Sequence, residues 1–417
     1  MKLLPSLVVV ALGLGGAGAL AQASADREVT AALERLRASF GPAATLTIAS
    51  REVDPLTGRV RLSGIRLEDG TRNLRVDSAT LLGVTEARLG RLEVRSLTMT
   101  EPGDTRITAQ RLTLAGLTLP APGEDFAFDT LRLVQGEVER FALEAPGAGS
   151  MTAQFASVEG LVPGRVRNLR ADGLRADRAG DRPVTFALGR IALAGFSFPD
   201  LNDQPDPTAF TLEAATLEAL ALAAPSDGVS ITLERIGLRD AVPGRLIEFG
   251  LDHLEVAAPM GALGPGAFRL ARMEMAGLDS VGLITALTTR GSAPEPQPDI
   301  FQRFLAEGLS LTQAGRDLAA IGRIASSGLT DSTGLSTGSL TVEDLRLALP
   351  LPRRGAAAAN DPFAPMRAAI TAFLREGGTL ELAMRPPSPI PLAEIGAMAA
   401  MPPATLVART GLTVTRP

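Results

Sequence analysis

The chain has 417 residues, with 41 basic against 46 acidic side chains and a formal net charge of −5. It contains no Cys, Trp or Tyr and a single histidine, His253, so thiolate catalysis, iron–sulfur ligation and imidazole-based metal clusters are excluded. An acidic chain without stacking aromatics also lacks what nucleic-acid binding needs, while 45% hydrophobic and 21% charged residues mark a globular protein.

Residues 1–23 have the layout of a secretory signal peptide. Lys2 precedes an apolar stretch from Leu3 to Leu20, and Ala21-Gln22-Ala23 forms an A-x-A exit. Glycines and Pro5 break the stretch, which favours cleavage over an uncleaved inner-membrane tether. Residues 24–42 then predict an amphipathic helix, with Val29, Leu33 and Leu36 on one face.

Residues 43–350 read as a repetitive β body. Arg111-Leu112-Thr113-Leu114-Ala115-Gly116-Leu117 returns as Arg190-Ile191-Ala192-Leu193-Ala194-Gly195-Phe196 and as Arg272-Met273-Glu274-Met275-Ala276-Gly277-Leu278. A looser copy runs from Arg323 to Leu329. The first three arginines stand 79 and 82 residues apart, and the last interval is 51. Val162-Pro163-Gly164-Arg165 and Val242-Pro243-Gly244-Arg245 keep the same period, as do Asp172-Gly173-Leu174 and Asp252-His253-Leu254. The period defines a unit of about eighty residues, present two to three times with partial copies outside it.

Within the unit, apolar and polar residues alternate. Leu112 and Leu114 are expected to face one way, Arg111 and Thr113 the other, and the same holds for Arg59-Val60-Arg61-Leu62 and for Ile231 to Ile236. Period-two alternation is the signature of a strand with one wet face, and hence of an antiparallel sheet. Ala214 to Ala223 is helical by propensity but is read as strand by analogy with its copies. Few helices interrupt 43–290, so the apolar face must meet another sheet, curl on itself or enclose a ligand. A short helix is predicted from an Asp299 cap through Phe301 and Leu305 to Gly308. Another is predicted from Asp361-Pro362 through Met366, Ile370 and Phe373 to Gly377-Gly378, inside a C-terminal α/β cap over 361–417. Ser292–Pro298 and Arg353–Asn360 read as linkers. The expected fold is therefore mainly β: an elongated repetitive antiparallel sheet, groove-like or solenoid-like, with short helices at the termini.

No P-loop, dinucleotide fingerprint, calcium loop or nucleophile elbow is present. His253 stands where the other copy has Gly173, so the scaffold does not require a histidine; a solvated or ion-paired side chain is expected there. The recurring arginine could meet an anionic headgroup, but a surface charge on the wet face is the expectation, paired across strands with Asp or Glu. An outer-membrane barrel would show aromatic girdles, and aromatics here are 4%, all Phe.

The alternating segments of the form Arg190-Ile191-Ala192-Leu193-Ala194-Gly195 over 43–350 resemble the AsmA-like envelope proteins of Gram-negative bacteria. The run Gly378-Thr379-Leu380-Glu381-Leu382 before Pro386-Pro387-Ser388-Pro389 is similar to related exported proteins. The resemblance implies a curved sheet whose apolar surface carries lipids between membranes, although AsmA-like proteins keep an N-terminal anchor and are often longer. It leads to the expectation of a non-catalytic periplasmic protein, handling lipid or another apolar ligand in envelope maintenance, with no cofactor, metal or nucleic acid. Its partners would include the envelope membrane or membrane proteins. The candidate ligand-lining residues are Leu112, Leu114, Ile191, Leu193, Met273 and Met275. Two alternatives stand beside it: a structural or interaction protein with a closed core and no ligand, and a hydrolase using scattered carboxylates.

Overall fold

The computed structural model describes residues 43–54, 56–70, 72–85, 88–118, 132–197, 211–242, 245–259, 264–278, 303–327, 330–331, 334–335, 338–347, 364–388, 390 and 403–416, together with Thr30, Leu33 and Arg37. The signal-peptide stretch and both predicted linkers lie outside the described residues. The chain divides into two units, Met1–Pro205 and Asp206–Pro417. Both are antiparallel β meanders, so the protein is mainly β with a few short helices, as the alternation predicts. Among the described residues no helix is long and apolar enough to cross a membrane.

In unit 1, β1 (Thr45–Thr47) and β2 (Ser50–Asp54) both pair with β3 (Arg59–Glu68). The meander continues through β4 (Asn73–Thr85), β5 (Arg88–Glu101), β6 (Thr105–Thr118), β7 (Leu133–Ala145), β8 (Gly149–Leu161), β9 (Arg165–Arg178) and β10 (Val184–Ser197), each strand paired with the next. Thr30, Leu33 and Arg37 are helical, and Leu33 is buried in the same apolar cluster as the strands.

In unit 2 the order is β11 (Leu212–Ala224), β12 (Val229–Val242), β13 (Arg245–Pro259), β14 (Pro265–Leu278), β15 (Arg303–Gln313) and β16 (Arg316–Ser327). Two-residue strands β17 (Thr330–Asp331) and β18 (Gly334–Leu335) form a separate small pair. The ladder resumes with β19 (Gly338–Glu343) and β20 (Arg346–Leu347), both on β16. Helix α1 (Ala364–Glu376), β21 (Thr379–Met384), α2 (Pro403–Thr410) and β22 (Thr413–Thr415) complete the chain. Because β21 pairs with β19 and β22 with β21, the C-terminal α/β segment extends the sheet.

One expectation needs correction and one a refinement. The helix predicted from Asp299 to Gly308 is strand β15 over its described part, and Gly308, read as a helix stop, is a left-handed residue inside that strand with φ 63°. Inward side chains there are Phe304, Ala306, Leu309 and Leu311, while Leu305, read as part of the helix's apolar face, faces Glu274 and Ala325 across the ladders. Thr113 does lie on the wet face, in register with Glu93 and Glu137, but these longer neighbours leave it only 7% exposed.

The spacing on β15 is general. Strict alternation slips by one residue at fixed levels of the sheet. Leu62 and Ile65 are both buried, with Ser63 and Gly64 between them. Ser63 faces Ser78 and Ile65 faces Val76, so one residue drops out on each strand and the register is kept. At this level the odd-numbered long strands carry a residue of positive φ: Gly64, Ser96, Arg140 and Gly173 in unit 1, Ala219, His253 and Gly308 in unit 2. A second level does the same on even-numbered strands, at Gly83, Gly116, Gly160 and Gly195, then Asp240 and Gly277. Inward residues thus follow each other at alternating spacings of two and three, as Ile107, Ala109, Leu112, Leu114 and Leu117 do on β6. The repeat is two strands. The eighty-residue unit of the sequence is four strands, and Arg111, Arg190 and Arg272 stand on β6, β10 and β14.

Candidate functional site

The six candidate residues fall into two inward rows. In unit 1 one row runs Leu62, Ala79, Val94, Leu112, Val138, Ala156, Ala171, Ile191, each facing the next across a ladder. Leu114 and Leu193 belong to the neighbouring row. In unit 2 Met273 faces Leu251 and Ala306, and Met275 faces Phe249 and Phe304.

Burial separates these positions. Val94 and Leu92 are fully covered, Leu112 is 8% exposed, and all three belong to a large apolar cluster over β3–β9. Leu114 is half-buried against that cluster, and Ile191 and Leu193 on β10 are half-buried. In unit 2 Leu233, Leu251, Leu270 and Ala306 form a buried cluster over β12–β15, while Leu212, Ala215, Ala241, Phe373, Leu380 and Ile390 are buried elsewhere in the unit. Around the β12–β15 cluster Phe249, Leu254, Phe268, Met273, Phe304 and Leu309 stay half-buried, as does Met275. The β13–β15 part of unit 2 therefore gathers half-buried rings and thioethers on neighbouring strands. Its rings and thioethers are large and adaptable, the side-chain types that conform to irregular apolar ligands.

The outer faces are charged and ordered. Just before the first break level, acid and arginine alternate across unit 2: Glu218, Arg235, Asp252, Arg272, Glu307, Arg323 and Glu343 face one another in that order. Arg323 pairs with Glu307 at 3.8 Å and Glu343 at 3.5 Å. In unit 1 Arg111 reaches Glu139 at 3.7 Å, and Arg190 reaches Asp172 at 3.0 Å. The recurring arginine is thus the basic member of a cross-strand charge ladder, as the wet-face expectation held. Like-charged Arg95 and Arg111 face each other, but Glu93 bridges them at 2.9 and 3.3 Å. Its hydrogen bond from Arg95, opposed by partial burial and aided by Arg111, holds the Glu93 carboxyl below the usual glutamate value. Partial burial works against ionisation of Asp172, but hydrogen bonds from Arg170 and Arg190 outweigh it and lower its pKa.

His253 pairs through Nδ1 with Glu234 Oε2 at 2.8 Å, and both side chains are exposed. Its φ is 50°, where the equivalent Gly173 has 64°, so the position is chosen by backbone conformation. Among the described residues no group of three or more His, Asp or Glu is placed to hold a metal ion.

Sequence reasoning missed two hollows on the outer faces. One, of about 690 Å³, lies over β2–β5 and is lined by serines, Thr80 and four arginines. The other, of about 390 Å³, lies over Gly237 and Gly250, which face each other on β12 and β13 with open space above both. Their only sequence signal is small residues at outward positions of neighbouring strands.

Comparison with known proteins adds one match. A family model described as "Uncharacterized protein" matches residues 317–417, the stretch from β16 to β22. No curated protein matches the chain.

Proposed function

We propose that this is an exported, non-catalytic carrier of acyl-chain lipids in a bacterial envelope, and that the β13–β15 inner face of unit 2 holds the apolar part of the ligand. The observation that carries the reading is the half-buried set Phe249, Phe268, Met273, Met275 and Phe304 on neighbouring strands. Apolar surface left partly in water gains about 25 cal/mol for each Å² that a ligand covers, and an acyl chain offers that surface without directional demands. The signal-like N-terminus and the resemblance to AsmA-like proteins support a periplasmic location, with the envelope membrane as source or destination of lipid.

The test is lipid extraction from the purified protein followed by mass spectrometry. The proposal expects co-purifying phospholipid or fatty acid, reduced about tenfold in the Met273→Glu/Met275→Glu double variant, since two charges then oppose burial. Lipid-free protein, or a variant that retains its full load, contradicts it.

A second reading rests on unit 1. Its cluster is dry over β3–β6, with Leu67, Leu81, Leu89, Leu92 and Ile107 at 0% exposure. A closed interior of that kind is what a structural or interaction protein would have, and a lipid-free particle would favour it.

A further inference from the structure

The outer face of β2–β5 presents three successive outward rungs. Ser50, Ser63, Ser78 and Arg95 form one; Glu52, Arg61, Thr80 and Glu93 form the next; Arg59 and Arg91 stand at the end beyond it. Short hydroxyl side chains occupy the middle of this face and arginines its rim, leaving the hollow of about 690 Å³. Its lining holds four guanidinium groups against two carboxylates. Glu93 is already bound by Arg95 and Arg111. Arg61 and Arg91 are exposed and, among the described residues, have no ion pair or hydrogen bond, not even between Arg61 and Glu52, which faces it. Ser50 and Ser63 share a 2.5 Å hydrogen bond, which fixes the hydroxyls at one end of the floor.

Free guanidinium groups beside hydroxyl donors match the tetrahedral oxygens of a phosphate, which accepts several charge-assisted hydrogen bonds at once. The hollow over Gly237 and Gly250 differs. There four arginines meet three carboxylates, with Arg235 facing Asp252, Arg239 facing Glu248 and Arg272 paired with Glu274, so the surplus of positive charge is smaller. We propose that the β2–β5 hollow binds a phosphate-bearing anion, a diphosphate or a phosphomonoester headgroup, with Arg61 and Arg91 as its principal cationic contacts. This site is on the outer face of unit 1 and stands or falls independently of the apolar-ligand reading of unit 2.

Titration calorimetry on the full chain tests it, with inorganic pyrophosphate, dihexanoyl phosphatidic acid and, as control, dihexanoyl phosphatidylcholine. Saturable binding of pyrophosphate and phosphatidic acid assigns the site to phosphate in general; binding of phosphatidic acid alone assigns it to a lipid headgroup. Either supports the proposal. Arg61→Ala and Arg91→Ala are each expected to weaken binding about tenfold, the loss of one charge-assisted hydrogen bond. Glu52→Gln is expected to tighten it about twofold by removing a repelling charge. Arg66→Ala, on the same face of β3 beyond Gly64 and outside the hollow, should leave it unchanged. Circular dichroism checks that these surface variants fold. No saturable binding below about 10 mM of either phosphate probe, weaker than any specific site, overturns the proposal. So does a loss in Arg66→Ala equal to that in Arg61→Ala, which would show diffuse charge attraction only.

Discussion

Units 1 and 2 are built from the same two-strand repeat, yet the inner face is sealed over β3–β6 of unit 1 and only half-covered over β13–β15 of unit 2. In unit 1 nearly every inward residue of β3–β6 is sealed, and the N-terminal helical residue Leu33 joins that cluster. Over β12–β15 of unit 2 the sealed cluster is four residues, with rings and thioethers half-buried around it. The left-handed positions differ in the same sense. Unit 1 fills six of its eight with glycine, whereas unit 2 sets Ala219, Asp240 and His253 at positions where a Cβ is strained. Each such residue costs about 1–2 kcal/mol relative to an unstrained backbone. The comparison teaches that the repeat fixes the ladder, while side-chain choice decides whether its inner face becomes a core or a surface.

The comparison can be broken most forcefully in the core. Leu92→Ala in unit 1 should cost about 3 kcal/mol, because nothing can relax into a sealed cavity. Leu254→Ala in unit 2, half-buried, should cost about 1 kcal/mol. Urea unfolding followed by circular dichroism measures both, and equal losses would contradict the division into sealed and half-covered inner faces.

Backbone conformation gives the next effect. Gly116 has φ 65°, and a Cβ there would collide with the Val134 side chain. Gly116→Ala should therefore destabilise by about 2 kcal/mol. Ala219→Gly, at φ 55° on an exposed position, should stabilise by about 0.5 kcal/mol, relief of strain exceeding the added freedom of the unfolded chain. The same unfolding curves decide the signs.

The smallest effect is electrostatic. The Glu93 and Asp172 carboxyls are both held below their ordinary values by arginines. The unfolded chain then binds protons first as pH falls, so this contribution is complete at neutral pH and is lost progressively below about pH 4.5. Glu93→Gln should flatten the acid limb of a stability-versus-pH curve. An unchanged limb would remove the bridge between Arg95 and Arg111 from the account.

Much of this was legible in the residues. Alternation along Arg59-Val60-Arg61-Leu62 and at Leu112 and Leu114 was sufficient for strands, and the recurring arginine marked the right level of the sheet. The true two-strand period was hidden because the intermediate copies keep only part of the motif. Phe155 replaces the arginine ahead of Gly160, and Asp240 replaces the glycine after Arg235. A pattern that demands both residues skips those strands. Gly308 misled for a related reason, since a left-handed glycine stops a helix as readily as it breaks a strand. The outer hollows could not be read, because they depend on which small residues become lateral neighbours across ladders.

The central claim is that apolar ligands meet the inner face of unit 2 and not that of unit 1. Photo-crosslinking of the intact protein with a diazirine-labelled fatty acid, followed by peptide mapping, tests it most directly. The account predicts adducts on the β13–β15 residues Phe249, Met273, Met275 and Phe304. Adducts concentrated on the inward residues of β3–β6, or saturating label without any adduct on β13–β15, would contradict it.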